Sequence, residues 1–127
     1  MFGNDWTADF AIAFDQTEPA GRIELLRNAL DEALAADVDD LEEFAGAAVG
    51  AAAIVAAALP GGPPLDAGGP VGVDASLGLP ADLVPLALRA FDRTVGEEPE
   101  YAEMWNDPNF APALRAVRDA LSARVAP

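Results

Sequence analysis

FAGAAVGAAAIVAAAL, residues 44–59, decides the fold. These sixteen residues carry no polar side chain, and nine of them are alanine. Alanine has the highest helix propensity, and an all-apolar run has no face to give to water. The stretch is therefore read as a buried central helix that the rest of the chain wraps. Asp39 is placed to be its N-cap, and Glu42, three residues on, would complete a capping box. Glu42 and Glu43 put negative charge in the first turn, where the helix dipole favours it. Pro60-Gly61-Gly62 ends the run, so the helix is expected over about 40–59. Gly46, Gly50, Ala53 and Ala57 make a small-residue face that lets another helix approach closely. A transmembrane span with a GxxxG pairing motif is the competing reading. The run is shorter than the ~20 residues that cross a bilayer. Its flanks carry acids instead of the Lys and Arg of a membrane anchor.

Upstream, Asn4-Asp5 offers N-cap chemistry ahead of Trp6, Phe10, Ala13 and Phe14, spaced as one helical face. Asp5 and Asp9 share a side of that helix and are read as a cap and a solvated acid. Thr17-Glu18-Pro19 starts a second helix with proline in its first turn. Its apolar face is Ile23, Leu26, Leu30, Ala33 and Leu34, and Arg27 can pair with Asp31 at i,i+4.

Downstream, residues 60–80 hold six glycines and five prolines, and are read as a strap between two helical halves, with Val71, Val73, Leu77 and Leu79 able to pin it. Residues 82–95 form a helix burying Leu83, Leu86, Ala87, Ala90, Phe91 and Thr94, with Gly96 as its C′ residue. Residues 97–106 are expected as a short helix carrying Tyr101, Met104 and Trp105. Asn109 is expected to cap a last helix facing inward through Phe110, Leu114, Val117 and Leu121. Its Arg115, Arg118 and Arg124 lie outside, placed to pair with acids of a neighbouring helix. No stretch has strand period. The expectation is an all-α, single-domain bundle over residues 1–127, of five or six helices around the alanine-rich one.

Charge is the strongest compositional signal. There are 22 acids against 7 arginines, no lysine, and a formal charge of −15. Such a field repels nucleic acid and anionic membranes and attracts cationic partners; it also keeps a small protein dispersed. Cysteine and histidine are absent, which removes disulfides, thiol chemistry and the usual zinc and iron–sulfur ligand sets. No signal-peptide pattern opens the chain, so a cytoplasmic protein is expected.

Catalytic constellations are thin. Ser76 and Ser122 have no histidine to activate them. Residues 37–43 contain five acids in seven positions but lack the glycine and the terminal acid of a calcium loop. Glu100 and Glu103 have the ExxE spacing of all-α nucleotide pyrophosphohydrolases, yet no downstream ExxD follows at Arg115 to Asp119, and no lysine exists to hold phosphate.

The opening FGNDWTADF resembles the bacterial family known as domain of unknown function 4259, small acidic proteins beginning with a pattern like WGxGxFxNDxAxDF. Phe2, Asn4, Asp5, Ala8, Asp9 and Phe10 match it. The alanine-rich run ending in Leu59-Pro60-Gly61 is similar to that family's central run. Glu100, Glu103, Met104 and Trp105 are similar to its SEL-x-ELW segment. The leading WGxG and the glutamate usual in the central run are missing here. The resemblance implies no activity; its general character is similar to that of immunity proteins.

The sequence thus points to a protein-binding module that sequesters a basic partner, such as a toxin or nuclease, without cofactor or metal. The expected contact residues are Asp37, Asp39, Asp40, Glu42, Glu43, Glu97, Glu98, Glu100 and Glu103. A self-associating structural domain, monomer or homodimer, is the alternative. A carboxylate–magnesium hydrolase is the third reading.

Overall fold

A computed structural model of the chain describes residues 5–59 and 79–125. Six helices run in order: α1 (Asp5–Gln16), α2 (Pro19–Ala35), α3 (Leu41–Ala58), α4 (Leu83–Glu97), α5 (Pro99–Asn106) and α6 (Ala111–Val125). Among the described residues there is no strand, and the all-α expectation holds. The side chains of Trp6 and of the Asp5–Asp9 pair lie outside the described residues, as does the strap from 60 to 78.

The alanine-rich helix is the core, as its composition requires. α3 packs against α1, α2, α4 and α6. Thirteen of its eighteen residues are buried, including Gly46, Gly50 and every position from Ala51 to Ala56. By length and hydropathy α3 could cross a membrane, but 72% of it is buried inside this fold. Alanine contributes little apolar area itself. The larger burial comes from Phe14, Leu26, Leu30, Leu83, Phe91, Leu114 and Leu121, all fully enclosed. Each such side chain contributes about 1.5–3 kcal/mol against exposure. A smooth central rod lets these knobs reach inward from its neighbours.

The apolar faces of α2 and α4 follow the sequence. Leu26, Leu30 and Ala33 are buried, with Ile23 and Leu34 half-buried. On α4 all six expected positions are buried, and Val84 joins them. Three helix ends differ from expectation. Asp40, not Asp39, precedes α3, in an αR conformation, and makes no side-chain cap bond. The capping box therefore does not form: the Asp40 and Leu41 amides instead donate to the Asp37 and Val38 carbonyls, tightening the corner with backbone bonds. Gly96 lies inside α4, which ends in an extended Glu98. At α6 the Asp107 carboxylate, not Asn109, accepts a backbone amide, that of Asn109 itself at 2.9 Å. This turn starts the helix at Ala111, leaving Phe110 ahead of it and 37% exposed instead of in the core.

The arginines tie helices together. Arg22 donates from Nε to the Phe14 and Thr17 carbonyls, both at 3.1 Å, and from Nη2 to Asp15 O at 3.2 Å. It also lies 5.0 Å from the centre of the Phe14 ring, so one guanidinium closes the C-terminus of α1. Arg118 pairs with Asp92 of α4 at 2.9 Å, an α6-to-α4 bridge of the kind its position on the sequence suggested. Arg27, with Asp31 near enough to act on it through its charge, forms a two-point pair with Asp82, at 2.6 and 3.3 Å. An i,i+4 pair gains only a few tenths of a kcal/mol, so the two-point bond goes to the carboxylate of Asp82, just ahead of α4.

Candidate functional site

The two acid-rich segments of the sequence meet in space. An open groove of about 390 Å³ is lined by Val38, Asp39, Glu42, Glu98, Pro99, Glu100 and Glu103. One wall is the α2–α3 corner with the first turn of α3. The other is the α4–α5 joint with α5. An adjoining depression of about 250 Å³ is lined by Asp39, Asp40, Glu42 and Glu43. Among the described residues no basic side chain lines either one.

Local chemistry explains why each wall is acidic and why it stays folded. The corner follows the end of α2, where the Ala36 amide bonds back to Glu32 O and the chain turns extended. Glu42 and Glu43 then occupy the first turn of α3, against the positive end of its dipole. On the opposite wall, Glu98 is extended, with φ −89° and ψ 119°, as a residue before proline prefers. Its amide closes α4 by donating to Thr94 O at 3.0 Å. Its carboxylate opens α5 by accepting from the Tyr101 amide at 3.0 Å. Glu98 therefore serves two helices at once.

The expected contact residues sort by what they touch. Asp39, Glu42, Glu100 and Glu103 are exposed along the groove. Asp40 and Glu43 are exposed in the adjoining depression. Asp37 is exposed at the corner, and its carbonyl accepts from Asp40. Glu97 accepts from Arg93 Nε at 3.0 Å. Glu98 departs from the expectation of an open acid: it is 5% exposed, and its carboxylate is engaged by a backbone amide. Among the described residues no three acids converge closely enough to hold a metal ion.

Two features of the site escape a reading of the sequence. Val38, 57% exposed, adds an apolar contact between the acids. Arg93 reaches from α4 to the end of α2, donating to the Ala33 and Leu34 carbonyls at 2.6 and 2.8 Å. The partners are about sixty positions apart in the chain, so no local pattern announces them. Next to the α5 wall, Trp105 meets Phe91 edge-on at 6.1 Å and carries the Arg115 guanidinium 4.8 Å from its ring centre.

No curated protein and no solved structure matches the chain. The family model described as Domain of unknown function (DUF4259) matches residues 1–116, in agreement with the resemblance of the opening residues, and the chain belongs to that family.

Proposed function

We propose that this protein is a binding module whose acidic groove takes up a basic protein partner, in the manner of an immunity protein that sequesters a toxin or nuclease. The observation that carries the reading is the convergence of residues 37–43 and 97–103 on one groove with no basic lining residue. Two walls of like charge reinforce each other's potential in the space between them, which draws in a cation and speeds its association. Arg22 bonds to α1, Arg27 to Asp82 and Arg118 to Asp92, while Arg93 pairs with Glu97 beside one wall.

The other two readings gain nothing comparable. The small-residue face that would pair two copies is enclosed at Gly46, Gly50 and Ala53. Among the described residues no group of three acids converges to favour a metal-dependent hydrolase.

The test uses an arginine- and lysine-rich peptide as probe, with affinity measured by titration calorimetry at low and high salt. One variant neutralises the groove (D39N, E42Q, E100Q and E103Q together). A second neutralises four exposed acids elsewhere (E24Q, D31N, E32Q and D119N), giving the same net charge. The groove variant should lose at least about tenfold in affinity beyond the control, or ~1.4 kcal/mol. Equal losses would mean that net charge acts alone and that the groove is not the site. Capture from a host lysate with the same two variants then identifies the partner.

A further inference from the structure

We propose that Arg93 is the positioning residue of the groove: it ties the two acidic walls together and sets the distance between them. α5 packs against α4 and α6, while the corner between α2 and α3 lies across open space from it. Among the described residues no backbone hydrogen bond crosses that space. α2 and α3 both pack on α4, and Arg93 adds a polar tie to that packing. Nη1 holds the Ala33 and Leu34 carbonyls at 2.6 and 2.8 Å, three residues before the first acid of one wall. Nε holds Glu97 at 3.0 Å, one turn on along its own helix and beside the first residue of the other wall, which fixes the guanidinium's direction.

The chemistry suits a tie. The last carbonyls of a helix have no partner within it, and α2 has no basic residue in its own last turn. A guanidinium from α4 satisfies two of them and complements the negative end of the dipole. Its planar fork fixes direction as well as distance, which a lysine ammonium does not. Arg93 is half-buried, its side chain 19% exposed, so solvent competes little for these bonds. The dependence of ligand affinity on Arg93 rests on the groove being a binding site; the dependence of groove width does not.

The chain has no cysteine, so introduced pairs can be spin-labelled without background. Val38→Cys with Glu103→Cys reports the groove by double electron–electron resonance. Ala81→Cys with Ala113→Cys reports the start of α4 against α6, which Arg93 does not bridge. Arg93→Gln should broaden the groove distribution and leave the α4–α6 distribution unchanged. An unchanged groove pair, or equal broadening of both pairs, overturns the proposal.

Affinity for the basic peptide gives a second, independent sign. Arg93→Gln removes a positive charge near the groove, so electrostatics alone would strengthen cation binding. Loss of positioning weakens it instead, by about tenfold if preorganisation of the walls is what the ligand uses. Tighter binding would overturn the positioning role. If the wild-type protein binds no peptide, the proposed function fails and the distance measurement still decides on Arg93. Should the glutamine variant not fold, Arg93→Lys keeps the charge, loses the fork, and is read by the same two distances.

Discussion

Replacing Glu98 by alanine sets two effects of opposite sign against each other. On a surface crowded with acids, removing one carboxylate should relieve repulsion, and exposed like-charge neighbours cost a few tenths of a kcal/mol each. Yet Glu98 is 5% exposed and its carboxylate accepts the Tyr101 amide at 3.0 Å. Losing an N-cap of this kind costs roughly 0.5–2 kcal/mol. The helix it caps is only eight residues long, too short to persist without its ends and its packing. The cap outweighs the relief, and Glu98→Ala should destabilise the protein by about 1 kcal/mol, a fall of roughly 3–5 °C in Tm for a chain of this size. Glu98→Gln keeps an acceptor oxygen and should retain most of that stability. Urea and thermal unfolding followed by circular dichroism give the energies. Hydrogen exchange gives the mechanism: the Tyr101 amide should exchange faster in the alanine variant and remain protected in the glutamine variant. A Glu98→Ala protein at least as stable as wild type would refute the capping argument and return Glu98 to the open acidic surface.

Other outcomes follow from the packing and the ion pairs. Ala52 is fully buried in α3, so Ala52→Leu should overpack the core and cost about 1–3 kcal/mol in urea unfolding. The same change at the half-buried Ala57 should cost less. The Arg27 hydrogen bond, with its charge, holds the Asp82 carboxyl below its usual range. A lowered folded-state pKa means the carboxylate's contribution is complete above the unfolded value, about 3.9, and is lost as pH falls through the folded one. The stability difference between wild type and Asp82→Asn should therefore be constant near neutrality and shrink below about pH 4. Because the pair is exposed, the difference should be small and should diminish with added salt.

What the sequence conveys is divided by range. α3 could be read from sixteen residues because alanine propensity and the absence of polar side chains are local facts. The inward faces of α2 and α4 could be read because a period near 3.6 records burial directly. Helix ends were harder. Asp39 and Asp40 are chemically equal candidates, and backbone bonds within the corner, not a side chain, chose between them. Gly96 looks like a stop, but it sits two residues before Glu98-Pro99, and the proline fixes the extended turn. That pair repeats Glu18-Pro19 at the start of α2, but Glu18 makes no side-chain cap bond, so the repetition signals a helix start and not the cap at Glu98. The groove was out of reach. Each acidic wall was visible alone, but their juxtaposition depends on how α4 lies against α2, and on Arg93 bonding to carbonyls that have no sequence signature.

The alanine rod has an evolutionary consequence. A single base change in an alanine codon gives Val, Thr, Ser, Gly, Pro, Asp or Glu. In the buried length of α3, Val and Thr add volume to a filled space, while Ser and Thr bring a hydroxyl that needs a partner. Glycine weakens the helix, proline breaks it, and the two acids bury a charge. Almost every mutational step from these positions is therefore downhill in stability, whereas the exposed acids can exchange with one another at little cost. The centre of this protein should drift slowly and its groove quickly, so that related chains can share one scaffold while the surface they expose diverges.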